Sequence, residues 1–243
     1  YDGGMPGMQT TSPDASEHGF PRAALVPLAL SLGGLACGVA SILASTSGEF
    51  ALAAILVVVA IFFDGLDGAA ARALRVEGPF GEMLDSLCDV IGFVVAPAFL
   101  AYQANLHSYD LVGPATMFAF VACGAIRLAR FPLIKTKGYF LGLPTPAAGA
   151  TLAMLSLYAD ELPGGLLVVA TAGLAVLMVT LIRFPKFNTA LNFLPTPMRW
   201  AFALVVVPTL LVLEPKALLG LMCLYLLSGP AIELRLQRAG PGS

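Results

Sequence analysis

The sequence predicts an all-α fold, a polytopic integral membrane bundle of about eight transmembrane helices. Of its 243 residues, 58% are hydrophobic and 12% are charged, whereas a soluble globular domain carries about 25% charged residues. Apolar runs of about 20 residues, the length of a helix that crosses a bilayer, recur along the chain. A net charge of −2 without a basic stripe argues against a nucleic-acid partner.

The predicted helices are separated by short connections that are polar or contain Gly and Pro. Their approximate bounds are 22–45, 50–74, 81–104, 113–134, 145–159, 165–183, 198–213 and 217–234. Residues 1–19 are rich in Gly, Pro and Ser, and we expect them to form a disordered tail, in part a cloning remnant. Residues 20–234 then form one transmembrane domain, and 235–243 a cytoplasmic tail.

The distribution of basic residues predicts the orientation of the helices. With eight spans, both termini and the even-numbered connections lie on one side of the membrane. That side carries every Lys and Arg of the sequence except Lys216. Because basic loops remain in the cytoplasm, we expect a multi-pass protein of the cell membrane whose connection at 75–80 faces the cytoplasm.

Four aspartates flank that connection. Asp64 and Asp67 lie near the end of the second predicted helix, and Asp85 and Asp89 near the start of the third. Residues three or four apart share one face of a helix, so each pair points the same way. The six-residue loop 75–80 makes the helices antiparallel and brings both pairs to a similar depth. Carboxylates at membrane depth are costly unless another charge offsets them, which predicts a bound cation.

The ligand types narrow the choice of cation. Oxygen-only ligation favours Mg²⁺, Mn²⁺ or Ca²⁺ over Zn²⁺. Four carboxylates exceed the need of one divalent ion and suit two, an arrangement adapted to in-line attack at phosphorus. Gly68 permits a phosphate to approach the backbone, and Arg72 can reach a phosphate. Gly81 is expected to allow close packing of the two helices.

Other roles are open to paired intramembrane acids, including proton relays and ion sites in transporters. A cation transporter would distribute its acids along a path through several helices. The first helix and the fourth to seventh helices carry no acid in their interiors, which argues against a transporter.

Together with the residues between them, the aspartates resemble the signature of the CDP-alcohol phosphotransferase family, D-x-x-D-G-x-x-A-R followed by G-x-x-x-D-x-x-x-D. The eight fixed positions are filled by Asp64, Asp67, Gly68, Ala71, Arg72, Gly81, Asp85 and Asp89. The resemblance implies an enzyme that transfers a phosphoalcohol from a CDP-activated donor to a second alcohol, with CMP leaving. It also implies a homodimer of chains with a six-helix core, here followed by two C-terminal helices.

The resemblance further implies roles for single residues. The four aspartates would ligate two divalent ions, Mg²⁺ or Mn²⁺, and Asp89 would also be the general base. Binding of the CDP-lipid would fall to the four other signature positions, Gly68, Ala71, Arg72 and Gly81. The catalytic domain would then be the whole membrane-embedded part of the chain.

Four stretches outside the signature resemble the serine-accepting branch of that family. They are SLCDVIGFVVAPAFLAY, RLARFP, YFLGLPTPAAG and YLLSGP. The resemblance implies CDP-diacylglycerol as donor and L-serine as acceptor. The serine carboxylate needs a cation, for which Arg127 and Arg130 are candidates, although both could instead be ordinary positive-inside anchors. Glycerol phosphate, inositol phosphate or another alcohol as acceptor, and an archaeal lipid as donor, stay open.

Overall fold

The computed structural model describes residues 22–130, 139–185 and 215–239, and most of these are helical. A π-helical turn at Val90–Val95 joins the third and fourth helices, and short 3-10 turns occupy Arg22–Ala24 and Leu106–Ser108. In chain order the helices are α1 (Leu25–Thr46), α2 (Phe50–Leu74), α3 (Pro79–Asp89), α4 (Ala96–Ala104), α5 (Val112–Arg130), α6 (Thr145–Leu157), α7 (Leu166–Val179) and α8 (Pro215–Ala239).

Four helical segments in the described residues are long and apolar enough to cross a membrane. They are Arg22–Thr46, Phe50–Leu74, Pro79–Ala104 and Val112–Arg130. The helices α6 and α7 and the segment Leu219–Pro230 of α8 are apolar but shorter. The chain is therefore a helical integral membrane protein, as predicted. The predicted helix at 198–213 and the tail at 1–19 lie outside the described residues, so the count of eight spans stays a prediction.

The π-helical turn lies at the centre of the described bundle, where glycines of three helices pack against it. A Cβ atom on Gly38 of α1 would lie 3.0 Å from the Cα of Gly92, and one on Gly124 of α5 would lie 2.5 Å from Val94. A Cβ atom on Gly149 of α6 would collide with the backbone of Phe93. The helix predicted at 81–104 is thus one apolar span with an inserted turn, packed closely on three sides.

Helix α1 packs against α2 through a stripe of small residues. Its buried positions recur every three or four residues and are Ser31, Gly34, Gly38, Ser41 and Ser45. The Ser41 hydroxyl donates a hydrogen bond to the carbonyl of Ala53 in α2 over 2.9 Å. Small residues let membrane helices approach closely, and this contact brings α1 beside the aspartate-bearing end of α2.

A pair of short strands departs from the predicted all-α class. β1 (Tyr139–Leu141) and β2 (Arg183–Pro185) pair antiparallel, with Phe140 opposite Phe184. Phe184 is fully buried, and its ring fills the space beside Gly229 of α8. Three-residue strands are too short to show an alternating pattern in the sequence, so the pairing could not be predicted. The strand pair satisfies backbone groups of two connections that lie outside the helices.

Candidate active site

The hairpin between α2 and α3 brings the two aspartate pairs together. Helix α2 ends at Leu74 because Arg75 adopts a left-handed backbone with φ 55°, and the N–H of Val76 bonds to the carbonyl of Ala71. Helix α3 begins at Pro79, a residue suited to the first helical position because its ring presets φ and it has no N–H to satisfy. The chain therefore reverses direction between the two helix ends that carry the aspartates.

Three of the four aspartates converge. A carboxylate oxygen from each of Asp64, Asp67 and Asp85 lies within 4.8 Å of the other two. Asp67 is only 4% exposed, and the other two are partly buried. Three acidic groups at this separation inside apolar helices repel one another unless a cation lies between them. The donors are all carboxylate oxygens, which fits a hard divalent ion, so the cluster could hold a metal.

Asp89 lies one turn further along α3 and lines the same cavity as the three converging carboxylates. The cavity is partly open to its surroundings, and its empty space, open solvent included, is about 200 Å³. It is bounded by residues of α1, α2, α3 and the π-helical turn, namely Ser31, Gly34, Ala60, Asp64, Asp67, Asp85, Cys88, Asp89, Gly92 and Phe93. All four predicted aspartates thus meet around one cavity, three of them as a compact group.

Arg127, in the last turn of α5, is within electrostatic range of these acids. Its Nη1 donates a hydrogen bond to Oγ1 of Thr145 over 2.8 Å, and Thr145 is fully buried at the start of α6. The guanidinium interacts electrostatically with Asp89 and Asp64. Arg130, three residues later in the same turn of α5, is partly buried. A fixed positive charge therefore stands beside the aspartate cavity.

The remaining signature positions lie along the hairpin. Gly68 packs under its neighbour Arg72, because a Cβ atom on Gly68 would lie 3.3 Å from Arg72 Nη1. The Arg72 side chain is exposed and Ala71 is partly buried. An arginine that folds back over a glycine at the end of α2 is placed to receive an anionic group from solvent.

The prediction that Gly81 allows close packing of the hairpin is wrong. Gly81 is exposed, and a Cβ atom there would meet no atom of the described residues within 4 Å. The reason is that α3 begins with an exposed turn: Pro79 to Met83 are all exposed. The close approach between helices occurs further along, at Gly92.

Sequence reasoning missed the contribution of α1 to the site. Ser31 of α1 lines the cavity, and its hydroxyl donates a hydrogen bond to Oδ2 of Asp67 over 2.5 Å. The available signal was a serine two residues before a pair of glycines in a mostly apolar run. Cys88, between the last two aspartates, also lines the cavity. Cys88 lies three residues after Asp85, so the sequence already places it on the face of α3 that carries the aspartates.

Comparison with known proteins connects this geometry with a family. Residues 24–182 match the family model of CDP-alcohol phosphatidyltransferases. The chain belongs to this family. The matched segment contains the four aspartates, the π-helical turn, Arg127 and Thr145. The resemblance that the aspartate signature indicated is therefore confirmed.

Several relatives of this CDP-alcohol phosphatidyltransferase carry names that specify an acceptor. CDP-diacylglycerol–serine O-phosphatidyltransferase of Bacillus subtilis is 34% identical over 164 residues, which cover 67% of this chain and 91% of the relative. The Helicobacter pylori protein of the same name is 38% identical over 174 residues, covering 68% and 73%. Archaetidylserine synthase of Methanothermobacter thermautotrophicus is 38% identical over 172 residues, covering 67% and 70%.

Proposed function

We propose that this chain is a phosphatidylserine synthase, a CDP-diacylglycerol–serine O-phosphatidyltransferase. The observation that carries the proposal is the meeting of four aspartates around one cavity in a chain of this family. The names of its bacterial relatives support serine as the acceptor and CDP-diacylglycerol as the donor.

The proposed reaction gives each of the four aspartates a role. The serine hydroxyl oxygen attacks the lipid-side phosphorus of CDP-diacylglycerol, the bond from that phosphorus to the CMP oxygen breaks, and CMP leaves. Asp89 accepts the hydroxyl proton as the bond forms. Asp64, Asp67 and Asp85, with Asp89, would hold two Mg²⁺ or Mn²⁺ ions. Bound divalent ions supply the positive charge that offsets charge developing on the leaving phosphate.

We assign the nucleotide to the end of the hairpin, where α2 reaches the exposed loop. Gly68, Ala71 and Arg72 lie on the last turns of α2, beyond the aspartates and toward the exposed loop. We assign the CDP group to this surface, where Arg72 meets the pyrophosphate. Gly81, exposed in the first turn of α3, is assigned to the same CDP-lipid site, as the family resemblance implies. The acyl chains of the donor would then extend from the bundle into the surrounding lipid.

The site is assigned to the cytoplasmic face of the cell membrane. Every Lys and Arg except Lys216 falls on that side of an eight-span topology, which supports the assignment through the positive-inside rule. A soluble nucleotide product can leave directly from this face. We further propose a homodimer in the membrane, as the family resemblance implies.

One assay tests the reaction directly. The full chain, purified in detergent, is incubated with CDP-diacylglycerol, Mn²⁺ or Mg²⁺, and one alcohol at a time, and the release of CMP is followed. We expect CMP with L-serine and none above background with glycerol 3-phosphate or inositol phosphate. CMP release with a phosphorylated alcohol in place of serine would contradict the proposal.

The lipid of the donor has a second candidate. Similarity to archaetidylserine synthase favours testing an archaeal ether-lipid donor beside CDP-diacylglycerol. Both donors share the CDP group that the hairpin meets and differ only in the chains that face the bilayer. We expect the diacylglycerol donor to give the higher kcat/KM. A higher kcat/KM with the archaeal donor would reassign the substrate without changing the chemistry.

Arg127 is proposed to bind the carboxylate of serine. Its guanidinium is held by Thr145 and stands beside Asp89, so a serine bound there would present its hydroxyl to the proposed base. Arg127→Lys should raise the KM for serine by about 10- to 100-fold, the effect of losing one charge-assisted hydrogen bond. The KM for CDP-diacylglycerol should stay unchanged.

Two further variants locate this effect. Thr145→Val removes the hydroxyl that holds Arg127 and should raise the KM for serine by a smaller factor, about threefold to tenfold. Arg130→Lys serves as the matched control on the same helix turn. If Arg130→Lys raises the KM and Arg127→Lys does not, the carboxylate contact belongs to Arg130. If neither changes the KM, the arginines are membrane anchors.

A further inference from the structure

We propose that Ser31 is a positioning residue of the metal site, which it serves by fixing the carboxylate of Asp67 from α1. This inference rests on the proposed function only in its metal site, not in the choice of acceptor alcohol. It extends the site from the aspartate hairpin to a third helix, although α1 contributes no acidic residue.

The contact between Ser31 and Asp67 is short and buried. Ser31 is 7% exposed, its Oγ lies 2.5 Å from Oδ2 of Asp67, and both residues line the cavity. A distance of about 2.5–2.7 Å is typical of a hydroxyl that donates to a carboxylate. Asp67 is also the most buried of the three converging acids, so water has little access to replace this donor.

Other buried serines of α1 behave differently. Ser41 donates to the carbonyl of Ala53, and Ser45 donates to the carbonyl of Ser41. Both bonds go to backbone carbonyls: that of Ser41 crosses to α2, and that of Ser45 is the local bond common for a serine inside a helix. Ser31 also has such a local acceptor, the carbonyl of Pro27 at 3.1 Å. The hydroxyl has only one hydrogen to donate, and its oxygen lies closer to Asp67, at 2.5 Å, than to that carbonyl. Asp67 is 36 positions away in the sequence.

The helix packing explains how a serine reaches an acid on another helix. One turn after Ser31, Gly34 packs against α2: a Cβ atom there would lie at van der Waals distance from Phe63, 3.4 Å, and from the carbonyl oxygen of Ala60, 3.6 Å. The two helices are therefore in direct contact one turn away from the bond between Ser31 and Asp67.

Fixing one carboxylate oxygen has a direct consequence for a bound ion. An aspartate side chain rotates about two torsion angles, χ1 and χ2. A hydrogen bond from the Ser31 hydroxyl to Oδ2 restricts rotation about both. The other oxygen and the remaining lone pairs then stay directed at Asp64 and Asp85. Outer-shell partners of this kind change metal affinity or activity by about 10- to 100-fold when they are removed.

The test measures metal binding without substrate. Mn²⁺ is titrated into the purified full-length chain and its free concentration is read from the electron paramagnetic resonance signal. We expect Ser31→Ala to raise the Kd for Mn²⁺ by about 10- to 100-fold, and Ser31→Thr, which keeps the hydroxyl, to stay close to the unsubstituted protein. At saturating Mn²⁺ the kcat of Ser31→Ala should recover most of its loss.

Ser41→Ala is the matched control, because it also removes a buried hydroxyl from the same face of α1 but ends a bond to backbone. It should leave the Kd for Mn²⁺ unchanged. A Ser31→Ala protein with unchanged Mn²⁺ affinity would overturn the role of Ser31, as would equal weakening by Ser41→Ala. If the unsubstituted chain binds no Mn²⁺, the metal site itself is wrong and the role falls with it. Mn²⁺ binding without serine transfer overturns only the reaction.

Discussion

Replacing Asp89 by Asn should lower turnover by about 10²- to 10⁴-fold, the range attributed to a general base. The substitution keeps the shape of the side chain and removes its capacity to accept the serine proton. Asp89 lines the cavity beside the three converging carboxylates, and among the four aspartates it interacts most strongly with Arg127, where serine is proposed to bind. Turnover is measured as CMP released with saturating L-serine and CDP-diacylglycerol.

Binding of the CDP-lipid separates this role from a general loss of the site. Thermal stabilisation of the purified Asp89→Asn protein by CDP-diacylglycerol should remain close to that of the unsubstituted protein. Glu82→Gln, the same chemical change on an exposed position of α3 outside the cavity, is the control and should leave turnover unchanged. Normal turnover in Asp89→Asn would show that another group takes the proton.

Replacing Gly149 by Ala should destabilise the folded bundle by about 1–3 kcal/mol, the usual cost of forcing additional atoms into a packed interior. The added methyl group would collide with the backbone carbonyl of Phe93 in the π-helical turn, and backbone cannot move aside as a flexible side chain can. The change is read as a lower Tm of the detergent-purified protein. Because the turn follows Asp89 directly, activity should fall as well.

Gly173 provides the matched control within α7. It also lies inside a helix, but an added Cβ atom there meets no described atom within 4 Å. Gly173→Ala should therefore be neutral or stabilising by about 0.5–1 kcal/mol, since alanine is the better helix former. Equal Tm losses in the two variants would mean that the contact with Phe93 is not what Gly149 serves.

The main elements could be predicted from the sequence because their signals are strong and local. Long apolar runs gave α2 its observed bounds and placed α1 and α5 within a few residues. The six-residue loop 75–80 predicted the hairpin, and the aspartate spacing placed each pair on one face of its helix, so that the two pairs could meet. The strands β1 and β2 were beyond prediction, because each spans three residues and their pairing joins connections more than 40 positions apart.

The parts of the site that were missed depend on contacts between helices. The role expected for Gly81 failed because nothing in the sequence shows that α3 begins with an exposed turn. Ser31 was overlooked for a related reason. Its bond to Asp67 depends on the close packing of α1 against α2, and a distance between two helices is a property of packing rather than of either sequence segment.

The π-helical turn separates two tasks within one membrane span. Its i→i+5 hydrogen bonds add a residue to the winding, so side chains after Val95 are rotated by about 100° from where a continuous α-helix would place them. Asp85 and Asp89 can thus face the cavity while α4 turns a different set of residues toward α2 and α6. Residues of α4 can therefore be substituted to suit a different bilayer thickness or different neighbouring helices, and Asp85 and Asp89 will still point into the cavity.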